Sequence, residues 1–399
     1  MLPQGITNIA GRAVRLFPDA FVRALLPRRF RYDPAAMTVV VPPTTRVRLF
    51  IGPVNFGGQG EAWARAAERN LADVGAVSMA YTGIGEFGFP VDQSVPATGY
   101  VLSRSWQRSQ AHAVATGFTH VLVEAERRLF GRVFDETLSQ QVDALRDSGV
   151  RVAFVAHGTD LRLPSRHVVA ERYSPFSEGE WALTPRLERD AAANRALLDR
   201  LGGMVFVSTL GLLADAPPGA NWLPVVVDSN LWRAGPLPMS RPRPVVAHAP
   251  SNGIIKGSEL IDPIMQRLHD RGLIEYRRVR GVAASDMPAV YRDADIVLDQ
   301  FRLGDYGVAA CEAMLTGRIT VGHVSNFVRS EVRERTGREL PIVEATPDTL
   351  EEVILSLLES PASARTISQD SREFASAVHD GRFAARALAD FLGANVQER

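Results

Sequence analysis

The segment of residues 294–323 carries the side chains with the clearest chemical potential in the chain. A short apolar run suited to a buried parallel strand is followed by a loop with Gly304 and Gly307, and then by a helix-compatible stretch whose one charge is Glu312. In open α/β sheets, a helix that begins in a glycine loop at the carboxyl end of a strand is a site for anionic ligands. Glu312 is interpreted either as a carboxylate that reaches ribose hydroxyls or as part of an ordinary core helix, and these residues alone leave both interpretations open.

Lys256 lies in a second loop with anion-binding composition, and it is the only lysine in the chain. The loop follows a predicted strand at residues 245–248 and precedes a predicted helix at residues 259–271. An ammonium group next to a helix amino end can meet a diphosphate together with the helix dipole. The small residues that flank Lys256, including Ser251 and Asn252, favour this interpretation over a surface lysine.

A glycine loop in the first half of the chain also has a ligand-binding pattern. Gly57 and Gly58 lie between a predicted strand at residues 47–51 and a predicted helix at residues 61–73. This order places free backbone N–H groups at a helix start, where phosphate or a hydroxyl-rich ligand can bind. The loop lacks the G-x-G-x-x-G pattern, so a dinucleotide site is not expected. A tight turn that needs glycine for its geometry is the alternative.

His157 follows a predicted strand at residues 150–155. At the carboxyl end of a strand, an imidazole lies over the crevice of the sheet, where it can donate to a ligand oxygen or take a proton. The neighbours Thr159, Asp160 and Arg162 make this tip polar, which favours a functional over a structural histidine.

The composition is that of a globular protein large enough for two α/β domains. The chain has 399 residues, of which 46% are apolar and 23% charged. The formal net charge is zero, which argues against a nucleic-acid partner. The single cysteine, Cys311, excludes an intramolecular disulfide and a cysteine-built metal site, and it fits a reducing, cytoplasmic compartment.

Residues 1–43 form a basic amino-terminal extension with apolar residues near helical spacing, interrupted by Pro18 and Pro27. The apolar runs are too short for a transmembrane span or a signal peptide. Two interpretations are open: an amphipathic helix in peripheral contact with the inner face of a membrane, or an extension packed on the protein's own surface. In the first case, the molecule on which the protein acts is expected to be lipid-linked.

Strand and helix patterns alternate through the rest of the chain, which predicts an α/β protein. The alternation runs twice, on either side of a stretch rich in proline and arginine that is typical of a linker. The predicted parts are an amino-terminal Rossmann-like domain at residues 44–230, the linker at residues 231–244, a second domain at residues 245–370, and a carboxyl-terminal helix at residues 371–399 that packs back towards the first domain. Residues 222–227 are predicted as a strand and residues 362–392 as one helix.

This order of elements resembles that of the GT-B fold glycosyltransferases, in particular the retaining, nucleotide-sugar-dependent group 1 or glycogen-synthase-like superfamily. The resemblance covers roughly residues 45–392. Its most specific part is residues 305–317, Asp-Tyr-Gly-Val-Ala-Ala-Cys-Glu-Ala-Met-Leu-Thr-Gly, which is similar to the family's G-F/Y-G-x-x-x-x-E-A-x-A-x-G segment. Residues 248–257 look like its phosphate-binding K-G loop, and residues 156–160 look like its histidine tip. The resemblance implies two Rossmann-like domains that face each other across a cleft. Residues 44–230 would be the acceptor-side domain and residues 245–370 the nucleotide-sugar donor domain.

The resemblance also implies roles for single residues. Glu312 would hold the nucleotide ribose, Lys256 would neutralise the donor diphosphate and His157 would contact the donor sugar, and these three are the predicted catalytic residues. The predicted donor-binding set is Gly57, Gly58, Ser251, Asn252, Lys256, Gly304, Asp305, Tyr306, Gly307, Val308 and Glu312. No metal ligand and no cofactor are expected, because the nucleotide-diphosphate sugar is a co-substrate.

The chain departs from the family pattern at two positions. The family carries two glutamates eight positions apart, and the first of them falls on Gly304, with Asp305 next to it as a substitute. The arginine that precedes the family's lysine is also missing, and Arg277, Arg278 or Arg280 are the candidates to replace its charge.

The predicted function is retaining, metal-independent sugar transfer from a nucleotide-diphosphate donor, in the synthesis of a polysaccharide, glycolipid or other glycoconjugate. Gly304 motivates the alternative, a catalytically silent nucleotide-sugar-binding homologue that acts as a partner in a glycosylation complex. An epimerase on the same two-domain fold is a third possibility.

Overall fold

The computed structural model of the protein describes residues 17–82, 88–132 and 136–397. Strands and helices alternate through these residues, which confirms the predicted α/β class. The strands in chain order are β1 (Val47–Gly52), β2 (Val74–Thr82), β3 (Gln93–Pro96), β4 (His120–Glu124), β5 (Arg151–Ala156), β6 (Val205–Val207), β7 (Asn221–Trp222), β8 (Val245–His248), β9 (Glu275–Arg278), β10 (Ile296–Leu298), β11 (Ile319–Gly322) and β12 (Val343–Glu344).

The helices lie between these strands and beyond the last of them. In chain order they are α1 (Asp19–Leu25), α2 (Gln59–Asn70), α3 (Ala97–Leu102), α4 (Arg104–Gly117), α5 (Leu138–Asp147), α6 (Pro164–Ala170), α7 (Thr184–Leu201), α8 (Gly253–Lys256), α9 (Ser258–Asp270), α10 (Met287–Asp293), α11 (Val308–Leu315), α12 (Asn326–Thr336), α13 (Leu350–Glu359), α14 (Pro361–Val378) and α15 (Arg382–Leu392). Within the described residues, none of these helices combines the length and the apolar character that a membrane span requires.

Two sheets organise the chain. The first has seven strands in the order β3-β2-β1-β4-β5-β6-β7, and the second has five in the order β12-β11-β10-β8-β9. All four strand pairs of the second sheet are parallel. A parallel sheet brings the carboxyl ends of its strands to one edge, so the loops that follow β8, β10, β11 and β12 lie along the same edge.

Both faces of the second sheet are buried, as its apolar strands require. Val245, Ala247 and Val297 pack into one hydrophobic core. Val246 and Ile296 point to the opposite face and pack into another. The alternation follows from the two-residue period of a strand, and it leaves polar side chains to the strand ends.

The described residues separate into two compact units. Of the described residues, one unit comprises residues 17–82, 88–132, 136–156, 197–206 and 388–397, and the other comprises residues 157–196 and 207–387. The segment 157–196, which follows β5, therefore belongs to the unit that contains the second sheet. The predicted domain boundaries at residues 230 and 244 remain predictions.

Most predicted elements are present within a few residues, and two predictions are wrong. The predicted strand at residues 222–227 is reduced to β7, because Pro224 has no N–H for a ladder and Val225 accepts a hydrogen bond from His379 instead (2.8 Å). The predicted helix at residues 362–392 is two helices, separated at Gly381, whose φ of 100° is not helical. Residues 1–16 of the predicted amino-terminal extension lie outside the described residues.

Asp295 and Arg318 fix the linker against the second sheet. The Asp295 carboxylate is buried and accepts from the backbone N–H groups of Met239 (2.7 Å) and Val245 (2.8 Å). The Arg318 guanidinium donates to the carbonyl of Pro236 (2.7 Å). The linker is therefore held by charged side chains that bond to its backbone.

We expect Asp295→Ala to lower the free energy of unfolding by about 2–4 kcal/mol, because two buried N–H groups lose their acceptor. Urea denaturation measures the change. The exposed Asp286→Ala is the control and should stay within about 0.5 kcal/mol of the wild type. A similarly small effect of Asp295→Ala would show that the linker does not depend on this carboxylate.

Candidate functional site

Lys256 lies at the junction of two helices that follow β8. The Asn252 side chain caps α8 by accepting from the N–H groups of Ile254 (3.0 Å) and Ile255 (3.4 Å). Gly257 then adopts a left-handed conformation (φ 73°), which lets α9 begin directly at Ser258. Lys256 is thereby fixed just before the amino end of a helix, which is the position expected from the sequence.

Asp299 forms a buried ion pair with Lys256. Asp299 follows β10 directly, and its side chain is 2% exposed, compared with 14% for Lys256. One carboxylate oxygen, Oδ1, meets the ammonium group, and Oδ2 is buried without a hydrogen-bond partner among the described residues. Asp299 therefore neutralises the lysine that the sequence assigns to a diphosphate.

Glu312 lies on α11 beside this pair, partly buried. Burial raises the pKa of Glu312 to about 8, against an opposing effect of the Lys256 charge, and the charge of Asp299 adds a smaller increase. No hydrogen bond or ion pair of its carboxyl group is found within the described residues. Near neutral pH the group therefore holds its proton, and it is open to hydroxyl groups of a ligand.

The amino end of α11 offers backbone N–H groups at the same edge of the sheet. Gly307 precedes the helix in an extended conformation, and a side chain placed there would find no heavy atom within 4 Å. The N–H groups of Gly307 and Val308 have no acceptor among the described residues. Open space beside unpaired helix N–H groups is suited to phosphate oxygens.

Asp305 and Tyr306, both in the predicted donor-binding set, turn their side chains into the protein. Asp305 is 2% exposed, and one of its oxygens accepts from Arg162 (3.1 Å) and from the N–H of Gly211 (3.1 Å). Its other oxygen accepts from the N–H of Tyr306 (2.9 Å), whose hydroxyl contacts His379 (3.3 Å). Burial raises the pKa of Asp305 despite Arg162. Both oxygens are occupied, so the geometry does not favour Asp305 as the substitute for the missing glutamate.

Gly304 adopts a left-handed conformation with φ of 62°. A side-chain carbon at this position would lie 2.2 Å from the nearer carboxylate oxygen of Glu171, which is shorter than any non-bonded contact. Glycine is required here by the backbone conformation and by the presence of Glu171.

Of the three arginines predicted to replace the missing phosphate-loop arginine, Arg278 lies beside the loop. Its Nη2 is 3.7 Å from the point where a side-chain carbon on Gly253 would be, and its Nη1 pairs with Asp262. Arg277 pairs with Glu275, and Arg280 is exposed.

Arg302, which the sequence did not single out, also packs on this loop. A side-chain carbon on Gly257 would lie 3.2 Å from Arg302 Cγ, and Nη2 of Arg302 pairs with Glu180 (2.7 Å) and Glu259 (3.2 Å). Its guanidinium is buried, and Nε and Nη1 have no partner within the described residues.

His157 begins the polar tip after β5. Its backbone N–H donates to the carboxylate of Asp160 (2.8 Å), and its carbonyl accepts from Ser208 (3.3 Å). Asp160 thus shapes the turn and fixes the backbone of His157.

Gly57 and Gly58 belong to the other compact unit. Both have left-handed φ values, 60° and 75°, and α2 begins immediately after them. The buried Glu124 at the end of β4 accepts from the N–H groups of Val54 (3.2 Å) and Asn55 (3.0 Å). These two donors are therefore used internally, and the loop offers fewer free N–H groups than the sequence predicts.

The structure thus brings Lys256 and Glu312 together and adds Asp299 and Arg302 to them. Both added residues belong to the polar loop after β10, so their position beyond a buried strand was a usable signal. Glu171 could not be found in this way, because its contact with Gly304 spans 133 positions of the sequence.

No model of a known protein family and no curated protein matches the chain. Solved structures are similar to it in fold. Sucrose-phosphate synthase from Thermosynechococcus elongatus is 14% identical with a TM-score of 0.56, over 86% of this chain and 97% of that one. HepE from Anabaena in complex with UDP and glucose is 14% identical with a TM-score of 0.53, over 88% of this chain and 99% of that one.

The catalytic domain of starch synthase IV from Arabidopsis thaliana, bound to ADP and acarbose, is 7% identical with a TM-score of 0.53. It matches over 86% of this chain and 98% of that one. These likenesses confirm the GT-B fold with two Rossmann-like domains that the sequence predicts.

We expect Glu312→Gln to stabilise the protein at high pH. The pKa of Glu312 is about 8 in the folded chain against an ordinary value of 4.5. The folded state therefore binds the proton more tightly, and this contribution to stability is complete below pH 4.5 and lost as the pH rises through 8. Urea denaturation should show a variant advantage that grows by roughly 1–4 kcal/mol between about pH 5 and 9.

The exposed Glu352→Gln is the control for this change outside the site. An advantage of Glu312→Gln that is equal at both pH values would contradict the raised pKa.

Proposed function

We propose that the chain is a glycosyltransferase that moves a sugar from a nucleotide-diphosphate donor to an acceptor, with retention of configuration and without a metal ion. The observation that carries the proposal is the convergence of Lys256, Glu312 and the open N–H groups of Gly307 and Val308 at the carboxyl edge of the second sheet. A cation, helix amides and a carboxyl group match the diphosphate and the ribose of a nucleotide sugar. HepE, of the same fold, is in complex with UDP-glucose in its own structure.

Transfer breaks the bond between the sugar and the diphosphate, so negative charge grows on the leaving diphosphate. Lys256 and the amides of α11 stabilise that charge. When Lys256 meets the diphosphate, the buried Asp299 keeps the ammonium group oriented. Glu312, with its proton, can both accept from and donate to the ribose hydroxyls.

Retention rests on the resemblance of residues 305–317 to retaining enzymes, whose same-face mechanism needs no enzyme nucleophile. Metal independence is proposed because Lys256 and the helix amides are available to meet the diphosphate. The proposed products are a polysaccharide, a glycolipid or another glycoconjugate, made in the cytoplasm. The nucleotide-diphosphate sugar is the co-substrate, and no resident cofactor is proposed.

Removal of the lysine should abolish transfer without unfolding the protein, provided that Asp299 is neutralised at the same time. Lys256→Met alone would leave a buried, unpaired carboxylate, which costs several kcal/mol. We expect Lys256→Met with Asp299→Asn to lower kcat/KM by about 100-fold or more, because the growing charge loses its main cation. The assay measures nucleoside diphosphate release and product mass with UDP-glucose, ADP-glucose and GDP-mannose.

Asp299→Asn alone is the matched control, and it should bind nucleoside diphosphates at least as tightly as the wild type because the lysine is no longer neutralised. Full transfer activity of the double variant would sink the assignment. Tight binding of a nucleotide sugar by the wild type without transfer would favour the silent homologue, and an isomerised donor without acceptor would favour an epimerase.

We also propose that α1 and the chain after it contact an anionic membrane. Phe21 and Leu25 are 46% and 69% exposed on one side of α1, with the ring of Phe17 packed 4.9 Å from that of Phe21. The arginines at 28 and 29 are exposed directly beyond the helix. A row of apolar side chains beside arginines is suited to an anionic membrane, because the apolar groups enter the lipid and the arginines meet the charged headgroups.

We expect Phe21→Ser with Leu25→Ser to reduce pelleting with phosphatidylglycerol vesicles several-fold, because the apolar contact with the lipid is lost. Phe327→Ser is the matched control, because Phe327 is 45% exposed elsewhere. Point variants are preferred to removal of residues 1–43, which would also remove the buried Tyr32 and Val40. Equal pelleting of all variants, or of the wild type with neutral vesicles, would remove the membrane proposal.

A further inference from the structure

We propose that Glu171 is a sugar-binding residue of the donor site and that its Oε1 accepts a hydrogen bond from a hydroxyl group of the donor sugar. The inference rests on the proposed function, and it assigns the contact that discriminates a nucleotide sugar from the bare nucleoside diphosphate.

The first observation is the place of Glu171. The residue ends α6, and its carboxylate lies directly over Gly304, within 2.2 Å of the point where a side-chain carbon would be. Gly304 belongs to the loop that connects β10 to α11, and α11 carries Glu312. A carboxylate from a distant part of the sequence thus occupies the side-chain space of the loop at the carboxyl edge of the second sheet.

The second observation is that Glu171 is held at one oxygen only. Its Oε2 accepts from Nε2 of His323 (2.8 Å), the residue that follows β11. Its Oε1 has no partner within the described residues, and the side chain is 12% exposed. Glu344, on the other side of His323, differs: one oxygen meets the imidazole (2.6 Å) and the other accepts from Val324 and Arg329 (2.9 and 3.0 Å).

The third observation is that the imidazole of His323 orients Glu171. Burial alone would lower the pKa of His323, but the flanking carboxylates Glu171 and Glu344 outweigh it and raise the pKa to about 9. His323 is therefore an imidazolium at neutral pH, and it donates to both carboxylates.

The fourth observation is that α6 is anchored next to the same loop. His167 contacts the hydroxyl of Ser174 with one ring nitrogen (2.7 Å) and the carbonyl of Leu303 with the other (3.3 Å). Leu303 is the neighbour of Gly304, so the helix that ends at Glu171 cannot shift without breaking this contact. An oriented carboxylate is a prepared acceptor, since the orientation requires no further loss of freedom on binding.

The chemistry of the free oxygen selects the ligand group. A carboxylate accepts hydrogen bonds and repels phosphate, so its partner is a neutral donor such as a hydroxyl group. Glu312 is positioned for the ribose, whereas Glu171 lies by the loop ahead of α11, over Gly304. The donors that remain on a nucleotide sugar are the hydroxyl groups of the transferred sugar and the N–H groups of the base. The comparison with the nucleoside diphosphate, which keeps the base and lacks the sugar, separates these two.

The test compares Glu171→Gln with the wild type, using UDP-glucose, ADP-glucose and GDP-mannose and the corresponding nucleoside diphosphates as probes. We expect Glu171→Gln to weaken binding of the preferred nucleotide sugar by about 10–100-fold, the worth of a hydrogen bond to a charged group. The dissociation constant of the nucleoside diphosphate should change less than about twofold, since that ligand has no sugar to contact Glu171. Titration calorimetry measures both.

Glu188→Gln is the matched control. Its carboxylate accepts from the N–H and the hydroxyl of Ser165 (both 2.8 Å) at the other end of α6. This change removes a charge from the same segment without altering Oε1 of Glu171, and both ligands should bind as they do to the wild type.

Deoxy analogues of the sugar provide a second measurement that does not depend on the variant's fold. One analogue should bind the wild type about tenfold or more weakly than the parent nucleotide sugar does. The same analogue should bind Glu171→Gln nearly as tightly as it binds the wild type, because the hydroxyl partner of Glu171 is already missing. The role of Glu171 would be overturned if Glu171→Gln lost affinity equally for the nucleotide sugar and the nucleoside diphosphate. It would also be overturned if the wild type bound every deoxy analogue as tightly as the parent nucleotide sugar. A wild type that binds none of the nucleoside diphosphates would overturn the proposed function itself, and this inference with it.

Discussion

The ion pair between Lys256 and Asp299 is the constraint on which the candidate site depends. A buried carboxylate that directly follows β10 needs a cation, and the chain supplies it from the junction of α8 and α9. Glu312 lies beside this pair, and it is burial that raises its pKa, while Lys256 opposes the rise and Asp299 adds a smaller increase. One ion pair and one buried carboxyl group therefore set the charge state of the site before any ligand arrives.

The loop between β10 and α11 is held mainly by the segment 157–196, which is distant in sequence. Arg162 pairs with Asp305, Glu180 pairs with Arg302 (2.7 Å), and Glu171 covers Gly304. These contacts explain why the loop can be rich in glycine and still be fixed. Side chains from outside the loop determine its conformation. The glycines of the loop make that conformation accessible to the backbone.

The sequence was sufficient to predict the fold class and the helix that carries Glu312, because short apolar runs and glycine turns follow local rules. It located Lys256 for the same reason. The polar partners were not predictable, since a carboxylate such as Asp305 has the same local signal whether it faces a ligand or pairs with Arg162 in the interior. The strand predicted at residues 222–227 was wrong. The apolar run indicated a strand, but Pro224 lacks an N–H for the ladder and the carbonyl of Val225 bonds to His379 instead.

The scarcity of lysine gives the site a property that most proteins lack. Lys256 is the one lysine of 399 residues, so a reagent that acylates lysine side chains has a single target in the chain. The Lys256 side chain is 14% exposed and held against the buried Asp299, so a reagent reaches its nitrogen when the pair opens. The rate of acylation at this position therefore reports how often the pair opens, and the protein carries its own reporter of that motion.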